Sequence, residues 1–248
     1  MNFTYQSYRE LIGLLQNCQY IITSYDRYAE YEKCVIIRHD VDNSLSKALE
    51  LAELEAETGP EGVKSTFFLL LTSDFYNLFS LHGQKAADGI LDCGHEIGLH
   101  FDEMRYPHLQ GNMDAIREKI LQEAGMLSRL TGRPVTKVSM HRPGRTMLNA
   151  DLKIPGMVNT YGSEFFRGFK YLSDSRRNWR ETPEEVIEKQ SFKRLQILIH
   201  PFWYHTKEKD AAVCIKEFVN AANHERYHQL NDNFTRLEEM MGLEEIMT

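Results

Sequence analysis

Cys34-Val35-Ile36-Ile37-Arg38-His39-Asp40-Val41-Asp42, "CVIIRHDVD", sets an apolar, β-branched run directly against an arginine, a histidine and two aspartates. A short continuous run of this kind marks a buried strand, here expected over Cys34 to Arg38. Charge leaving the mouth of such a strand must be solvated, paired or bound to something. Which of these holds depends on what the neighbouring elements bring to the same place.

The chain outward from this stretch alternates between two periods. A helix is expected after Ser44, running to about Thr58 and closed by Gly59-Pro60. "STFFLLL" (Ser65 to Leu71) reads as a second buried strand, followed by a helix around Phe75 to Ala87. "EIGLHF" (Glu96 to Phe101) reads as a third strand after the turn signal Cys93-Gly94. An amphipathic helix spans Asn112 to Leu130, and Val135 to Met140 is a fourth strand stopped by Pro143-Gly144. Residues 145–190 are less regular, and "RLQILI" (Arg194 to Ile199) is a further buried strand. Strand and helix alternate at intervals of about 30 residues, the signature of βαβ units and a parallel sheet.

The 248 residues contain no internal repeat, low-complexity tract or clear linker. A single α/β domain over 1–248 is the simplest division. An N-terminal helix over 7–18, with clear periodicity from Tyr8 to Leu15, and C-terminal helices over 207–241 are expected to pack on it. A net charge of -7 lacks the basic face of a nucleic-acid binder and argues against docking on an anionic membrane. "MNFTYQSYRELIGLLQ" has no basic n-region followed by an apolar stretch, so no secretory leader is expected. The four cysteines have neither CxxC nor zinc-ribbon spacing and are expected to be reduced thiols in a cytoplasmic protein.

In parallel α/β folds chemistry collects at the carboxyl ends of the strands. The first strand ends in His39, Asp40 and Asp42, and the third in His100 and Asp102. The fourth ends in His141 and Arg142, and the later one in His200, followed by Pro201-Phe202-Trp203-Tyr204. A single strand-end histidine is more often a hydrogen-bonded core residue than a ligand, and a lone DxD is usually a solvated turn. Convergence of four strands on one rim carries the functional reading. His95, which precedes its strand, reads as structural.

Imidazole and carboxylate together suit Zn²⁺ or a similar divalent metal. A second carboxylate near the metal can accept a proton from water, and a protonated histidine can give one to a leaving group. An arginine beside the base would orient it and keep it ionised. Asp40, Asp42, His100, Arg142 and His200 can fill these parts, and the implied reaction is metal-assisted hydrolysis of an amide or ester. There is no GxSxG elbow, no GxxxxGK[ST] loop, no GxGxxG after the first strand and no HExxH.

Six segments in order then resemble the polysaccharide deacetylase-like superfamily, carbohydrate esterase family 4, in its variant branch from surface-polysaccharide gene clusters. They are "RHDVD", "STFFLL", "GHEIGLHFD", "MHRPG", "YLSDSRRNW" and "LIHPFWY", within about 34–204. The resemblance implies a distorted (β/α) barrel and a divalent-metal N-deacetylase. Zinc is foremost, with cobalt, nickel or manganese as alternatives, and the substrate is an N-acylated sugar or sugar nucleotide. It implies Asp40 as base, Asp42 and His100 as metal ligands, Arg142 as the arginine that orients the base, and His200 as general acid. Asp174, Trp179 and Trp203 are the residues expected to meet substrate.

The family pattern places a second metal histidine four residues after the first, where this chain has Met104. His141 is the first candidate to complete the metal site, Asp102 the second and His108 a distant third. Adjacent residues in a regular strand point to opposite faces, so His141 and Arg142 can both face the site only if the strand has ended. Two rival readings remain: a non-catalytic sugar-binding or scaffold protein on a degenerate barrel, and a different metal hydrolase such as a phosphoesterase.

Overall fold

The strand that opens at Cys34 does not end at its first charge. It continues through the polar stretch to Val41, and all eight of its residues are buried. Side chains alternate along a strand, so Arg38, Asp40 and then Asp42 project to one face while His39 and Val41 project to the other. This alternation positions everything that follows. A computed structural model describes residues 1–59 and 62–246. Pro60, expected to close the second helix, lies outside the described residues.

The elements are α1 (Tyr5–Asn17), β1 (Ile21–Thr23), β2 (Cys34–Val41), α2 (Leu45–Ala56), β3 (Thr66–Leu70), α3 (Leu81–Asp92), β4 (Glu96–Phe101) and α4 (Met113–Thr131), then β5 (Lys137–Met140), α5 (Arg145–Asn149), β6 (Val158–Asn159), α6 (Ser163–Phe166), β7 (Lys170–Ser173), α7 (Pro183–Lys189), β8 (Arg194–Ile199) and α8 (Ala211–Asn231). Helix starts follow the side-chain caps: Thr4 accepts from Ser7 N, Ser44 from Lys47 N and Asn112 from Ala115 N. The helix expected around Phe75 to Ala87 begins instead at Leu81, where Ser80 is the capping residue. The preceding loop is pinned by Tyr76, whose hydroxyl donates to Val41 O and accepts from Leu70 N. The irregular stretch after 145 contributes two short strands, β6 and β7, which the sequence pattern does not announce.

All strand pairs are parallel, in the order β6-β5-β4-β3-β2-β8-β7, with β1 also beside β2. The two ends of this path meet over its middle. Arg38, on central β2, has its guanidinium carbon 4.8 Å from the Tyr161 ring, just after β6, and 5.7 Å from the Tyr171 ring on β7. Tyr161 and Tyr171 are themselves 6.5 Å apart. The sheet is therefore curled into a distorted, open (β/α) barrel, as expected.

Outward-facing residues of the strands build two apolar layers under the helices. Phe67, Leu69, Leu99, Phe101 and Val138 pack with α2, α3 and α4. Val35, Ile37, Leu195 and Ile197 pack with Tyr8, Leu11, Ile12 and Leu15 of α1. Each such side chain, fully buried, contributes about 1.5–3 kcal/mol. Inside the barrel, Tyr25, Ile36, Phe68, Phe165 and Phe169 fill one end. Gly98 sits there because a Cβ would stand 2.4 Å from the Phe68 ring.

The described residues form two compact units, 1–206 and from 207 onward. The second contains α8, whose Tyr227 hydroxyl donates to Met241 O at 3.2 Å. None of the four cysteines is in a disulfide among the described residues, and Cys34 and Cys214 are buried. No helix among the described residues is long and apolar enough to cross a membrane.

Candidate metal and catalytic site

Register brings the inward faces of β2, β3, β4 and β5 together. Leu70 pairs with His100 and His100 with Ser139, so His100 and Ser139 lie at one level. Asp42, one residue past β2 on the same face as Asp40, reaches that level. His100 Nε2 lies 3.1 Å from Asp42 Oδ1, and His141 Nδ1 lies 3.1 Å from the same oxygen. The two imidazole nitrogens are 3.2 Å apart. Of the four strand ends, these three donors close into one cluster, each ligand atom within 4.8 Å of the others.

The donor chemistry fits a divalent cation. His100 Nδ1 lies 3.2 Å from Ser139 O, which can only accept, so Nδ1 carries the proton. In the neutral ring Nε2 then presents a lone pair to a carboxylate oxygen and to a second imidazole nitrogen. Lone pairs face one another at this separation only with a proton or a cation between them. The Ser139 contact also fixes the ring orientation, as an outer partner of a metal-bound histidine does. Burial pushes the Asp42 carboxyl up, but the contacts its carboxylate makes with the His100 and His141 imidazoles outweigh it and hold the group far below the usual carboxylate range.

His141 faces this cluster because the alternation of β5 carries on past Met140, so that Ser139 and His141 share the inward face. Its N–H donates to Phe101 O at 2.9 Å. Arg142 then points the other way, as alternation requires. It forms an ion pair with Asp102, and its side chain is 58% exposed. The expectation that Arg142 orients Asp40 is therefore corrected: no ion pair or hydrogen bond joins them among the described residues, and Arg38 stands beside Asp40 instead. Asp102, the second candidate ligand, is occupied by Arg142 and by Met104 N. His108 lies in a 3-10 turn with its ring against Tyr106. Met104 is half exposed in the turn after β4, and of the three candidates His141, just past β5, is the one that stands in the cluster.

Asp40 is 2% exposed and flanks the cluster, its Oδ2 3.9 Å from His100 Nε2. Oδ2 accepts from Ser139 Oγ at 3.0 Å and from Arg38 Nη2 at 3.5 Å. Oδ1 is buried with no hydrogen-bond partner among the described residues. On the other side, His200 Nε2 lies 3.9 Å from Asp42 Oδ2. Asp174 is fully buried and accepts from His200 Nδ1 at 2.5 Å and from His200 N at 3.0 Å. Burial alone would push the His200 imidazole down, but the Asp174 carboxylate outweighs it and holds it up to about 9.

Asp174 therefore does not face substrate as expected: it is 0% exposed and orients His200. Trp179 and Trp203 pack partly buried against the α1-side apolar layer. Tyr161, Phe166 and Tyr171 form a further aromatic group. With Pro143, Ser173 and Arg180 they line a cavity of about 330 Å³. The cavity is linked to the site by Arg38, which the Tyr161 and Tyr171 rings both approach and which pairs with Asp40. Arg38 and Ser139 are the partners of Asp40 that sequence reading passed over. The available signal was period two: Arg38 shares a face with Asp40, and Ser139 with His141.

No family model and no curated protein matches the chain. Among solved structures, it is similar to a CE4 family pseudoenzyme from Bacillus anthracis, with 17% identity over 78% of this chain and 62% of that one and a TM-score of 0.43. It is similar to the catalytic domain of a peptidoglycan N-acetylglucosamine deacetylase from Eubacterium rectale, with 14% identity over 77% and 84% and a TM-score of 0.44. It is also similar to a polysaccharide deacetylase from Bacillus cereus, with 13% identity over 78% and 88% and a TM-score of 0.42. The match spans less than two thirds of the first of these chains.

Proposed function

We propose that this protein is a metal-dependent hydrolase that removes an N-acyl group, acetyl foremost, from an amino sugar or sugar nucleotide in the cytoplasm. One observation carries the reading. A three-donor cluster is flanked on one side by a buried carboxylate with an unpartnered oxygen, and on the other by an imidazole kept cationic. A bare binding site has no need of an acid and a base so placed.

Asp42, His100 and His141 would hold the cation, and two imidazoles with one carboxylate suit zinc first. A cation held there would polarise the acyl carbonyl and make a nearby water acidic. The chain's own groups do the rest. Asp40 accepts the proton of the attacking water through Oδ1. His200, charged at neutral pH, gives its Nε2 proton to the departing nitrogen as the C–N bond breaks. Asp174 keeps that ring oriented and charged throughout. The products leave as the carboxylic acid and the free amine, which exchange a proton to become carboxylate and ammonium, and the proton gained by Asp40 balances the one lost by His200. Tyr161, Phe166 and Tyr171 offer apolar faces where a sugar ring can pack.

The test is acetate release from a panel of N-acetylated amino sugars and sugar nucleotides, with and without added Zn²⁺ or Co²⁺. Metal-dependent release is expected. No release across the panel, with one equivalent of metal confirmed bound, would sink this reading in favour of a sugar-binding protein on the same barrel.

A further inference from the structure

A buried carboxylate works as a base only if its orientation is held and its charge is balanced. The obvious arginine for that task, Arg142, is committed to Asp102 at the rim. Arg38 occupies the place the task requires. It precedes Asp40 by two residues on β2 and shares the inward face. Its Nη2 lies 3.5 Å from Asp40 Oδ2, and the two side chains are 0% and 2% exposed. Ser139 Oγ binds the same oxygen. Both contacts therefore fall on Oδ2, and Oδ1 is left free to face the reaction.

The other end of the guanidinium is fixed by residues from both ends of the strand path. Nη1 donates to Thr160 Oγ1, next to β6. The rings of Tyr161, Tyr171 and Phe68 stand 4.8, 5.7 and 5.8 Å from the guanidinium carbon. Aromatic faces attract a cation, and more strongly where water is excluded. Arginine suits this box better than lysine, because its planar fork can reach Asp40 and Thr160 at once.

We propose that Arg38 is the positioning residue for Asp40: it anchors Oδ2 so that Oδ1 is presented to the attacking water, and Thr160 with the Tyr161 and Tyr171 rings anchors Arg38. The kinetic consequence rests on the hydrolase reading above. The pairing itself does not, so the experiment has two arms.

The first arm needs no substrate. Urea midpoints are measured for Arg38→Met, Asp40→Asn and the double variant. Each single change strands one buried partner, so the double variant is expected to lose clearly less than the sum of the singles. The matching cycle with Arg142→Met in place of Arg38→Met is expected to be additive. Additive shifts for Arg38 with Asp40, or coupling for Arg142 with Asp40, overturn the proposal.

The second arm measures kcat, KM and bound metal. Arg38→Met is expected to lower kcat about 100-fold, the scale of a misplaced catalytic group. KM stays within about twofold and metal content is unchanged. Arg38→Lys recovers part of the loss. Thr160→Val, which keeps Arg38 and its charge but frees one end, gives a smaller loss in kcat alone. If Arg38→Met does not fold, Arg38→Lys and Thr160→Val decide: wild-type kcat in both overturns the proposal. If the wild-type protein turns over no substrate, the hydrolase reading fails while the urea cycles still judge the pairing.

Discussion

The two faces of β2 carry buried polar clusters made of the same residue types, yet they differ in one physical respect. On the outer face, His39 Nε2 lies 2.9 Å from Glu55 Oε1, and Ser65 Oγ donates to Glu55 Oε2 at 2.6 Å. The Tyr8 hydroxyl also donates to Glu55. His95 accepts from Ser65 N at 3.2 Å and lies 2.9 Å from Ala52 O. His39, Glu55 and Tyr8 are fully buried, and the His39 ring lies against Phe67 with centroids 4.3 Å apart. Apart from His39 Nδ1, the polar side-chain atoms of this cluster have partners. On the inner face, lone pairs converge at Asp42, His100 and His141, Asp40 keeps an unpartnered oxygen, and His200 is part exposed. A cluster that satisfies itself holds the fold together. One that leaves atoms in want of partners is set to bind something.

This contrast can be broken by mutation. The largest expected effect is on the inner face: Asp40→Asn and His200→Ala should each lower kcat by about 10²- to 10⁴-fold, with the fold and the bound metal retained. Retained turnover in Asp40→Asn would remove it from the role of base. On the outer face, Glu55→Ala should cost about 3–5 kcal/mol in urea unfolding, because His39, Ser65 and Tyr8 lose a shared buried acceptor. Its kcat per folded molecule should stay at the wild-type value. Equal losses of stability and turnover in both sets would erase the distinction.

Acidification gives a smaller, graded effect. Burial raises the Glu55 carboxyl, but the His39 charge and the hydrogen bonds around it outweigh this and hold it below its ordinary value of 4.5. Burial pushes His95 below its ordinary 6.5. Both groups take up protons more readily in the unfolded chain, so both stabilise the fold at higher pH and withdraw that stability as pH falls. The urea midpoint should drop as pH falls below about 6.5, and more steeply below about 4.5. His95→Gln should flatten the first part and Glu55→Gln the second. A midpoint that rises as pH falls below about 6.5, where the stabilising charge on His200 is already complete, would contradict the assignment.

The smallest expected effect is at the rim. Arg142→Met removes an ion pair between an exposed arginine and the buried Asp102, whose carboxylate keeps its contact with Met104 N. Its kcat should change by no more than about threefold, which a turnover assay beside Arg38→Met would show. A loss as large as that of Arg38→Met would return the orienting role to the residue the sequence suggested.

Much of the barrel is legible in the sequence. "EIGLHF" and "RLQILI" are strands over the expected residues because their runs are apolar and bounded by turn signals. The helix placed around Phe75 to Ala87 starts six residues later because Phe75 and Phe79, apolar by type, are exposed at 61% and 58%. Apolar identity stood in for burial, and the cap at Ser80 was the better signal. The strands β6 and β7 are short, partly exposed and lie at the ends of the sheet path, so no continuous apolar run announces them. At the site, Asp42, His100 and His141 were nameable because each sits at a strand end. Arg142 was misassigned because its neighbour His141 uses the inward direction, and Asp174 because its burial beneath His200 is a tertiary fact.

By itself, the sequence determined periods and ends: which residues of "RHDVD" share a face, where Ser44 and Asn112 start helices, and which strands finish in ligand-type side chains. These follow from local geometry that a few adjacent residues impose. Only the tertiary structure decided which ends meet. The curl of the sheet carries Thr160, Tyr161 and Tyr171 over Arg38, and sets His141 rather than Asp102 against Asp42. Those contacts join residues 99 to 133 positions apart, and it is the order and twist of the parallel strands, set by burial on both faces at once, that brings them together.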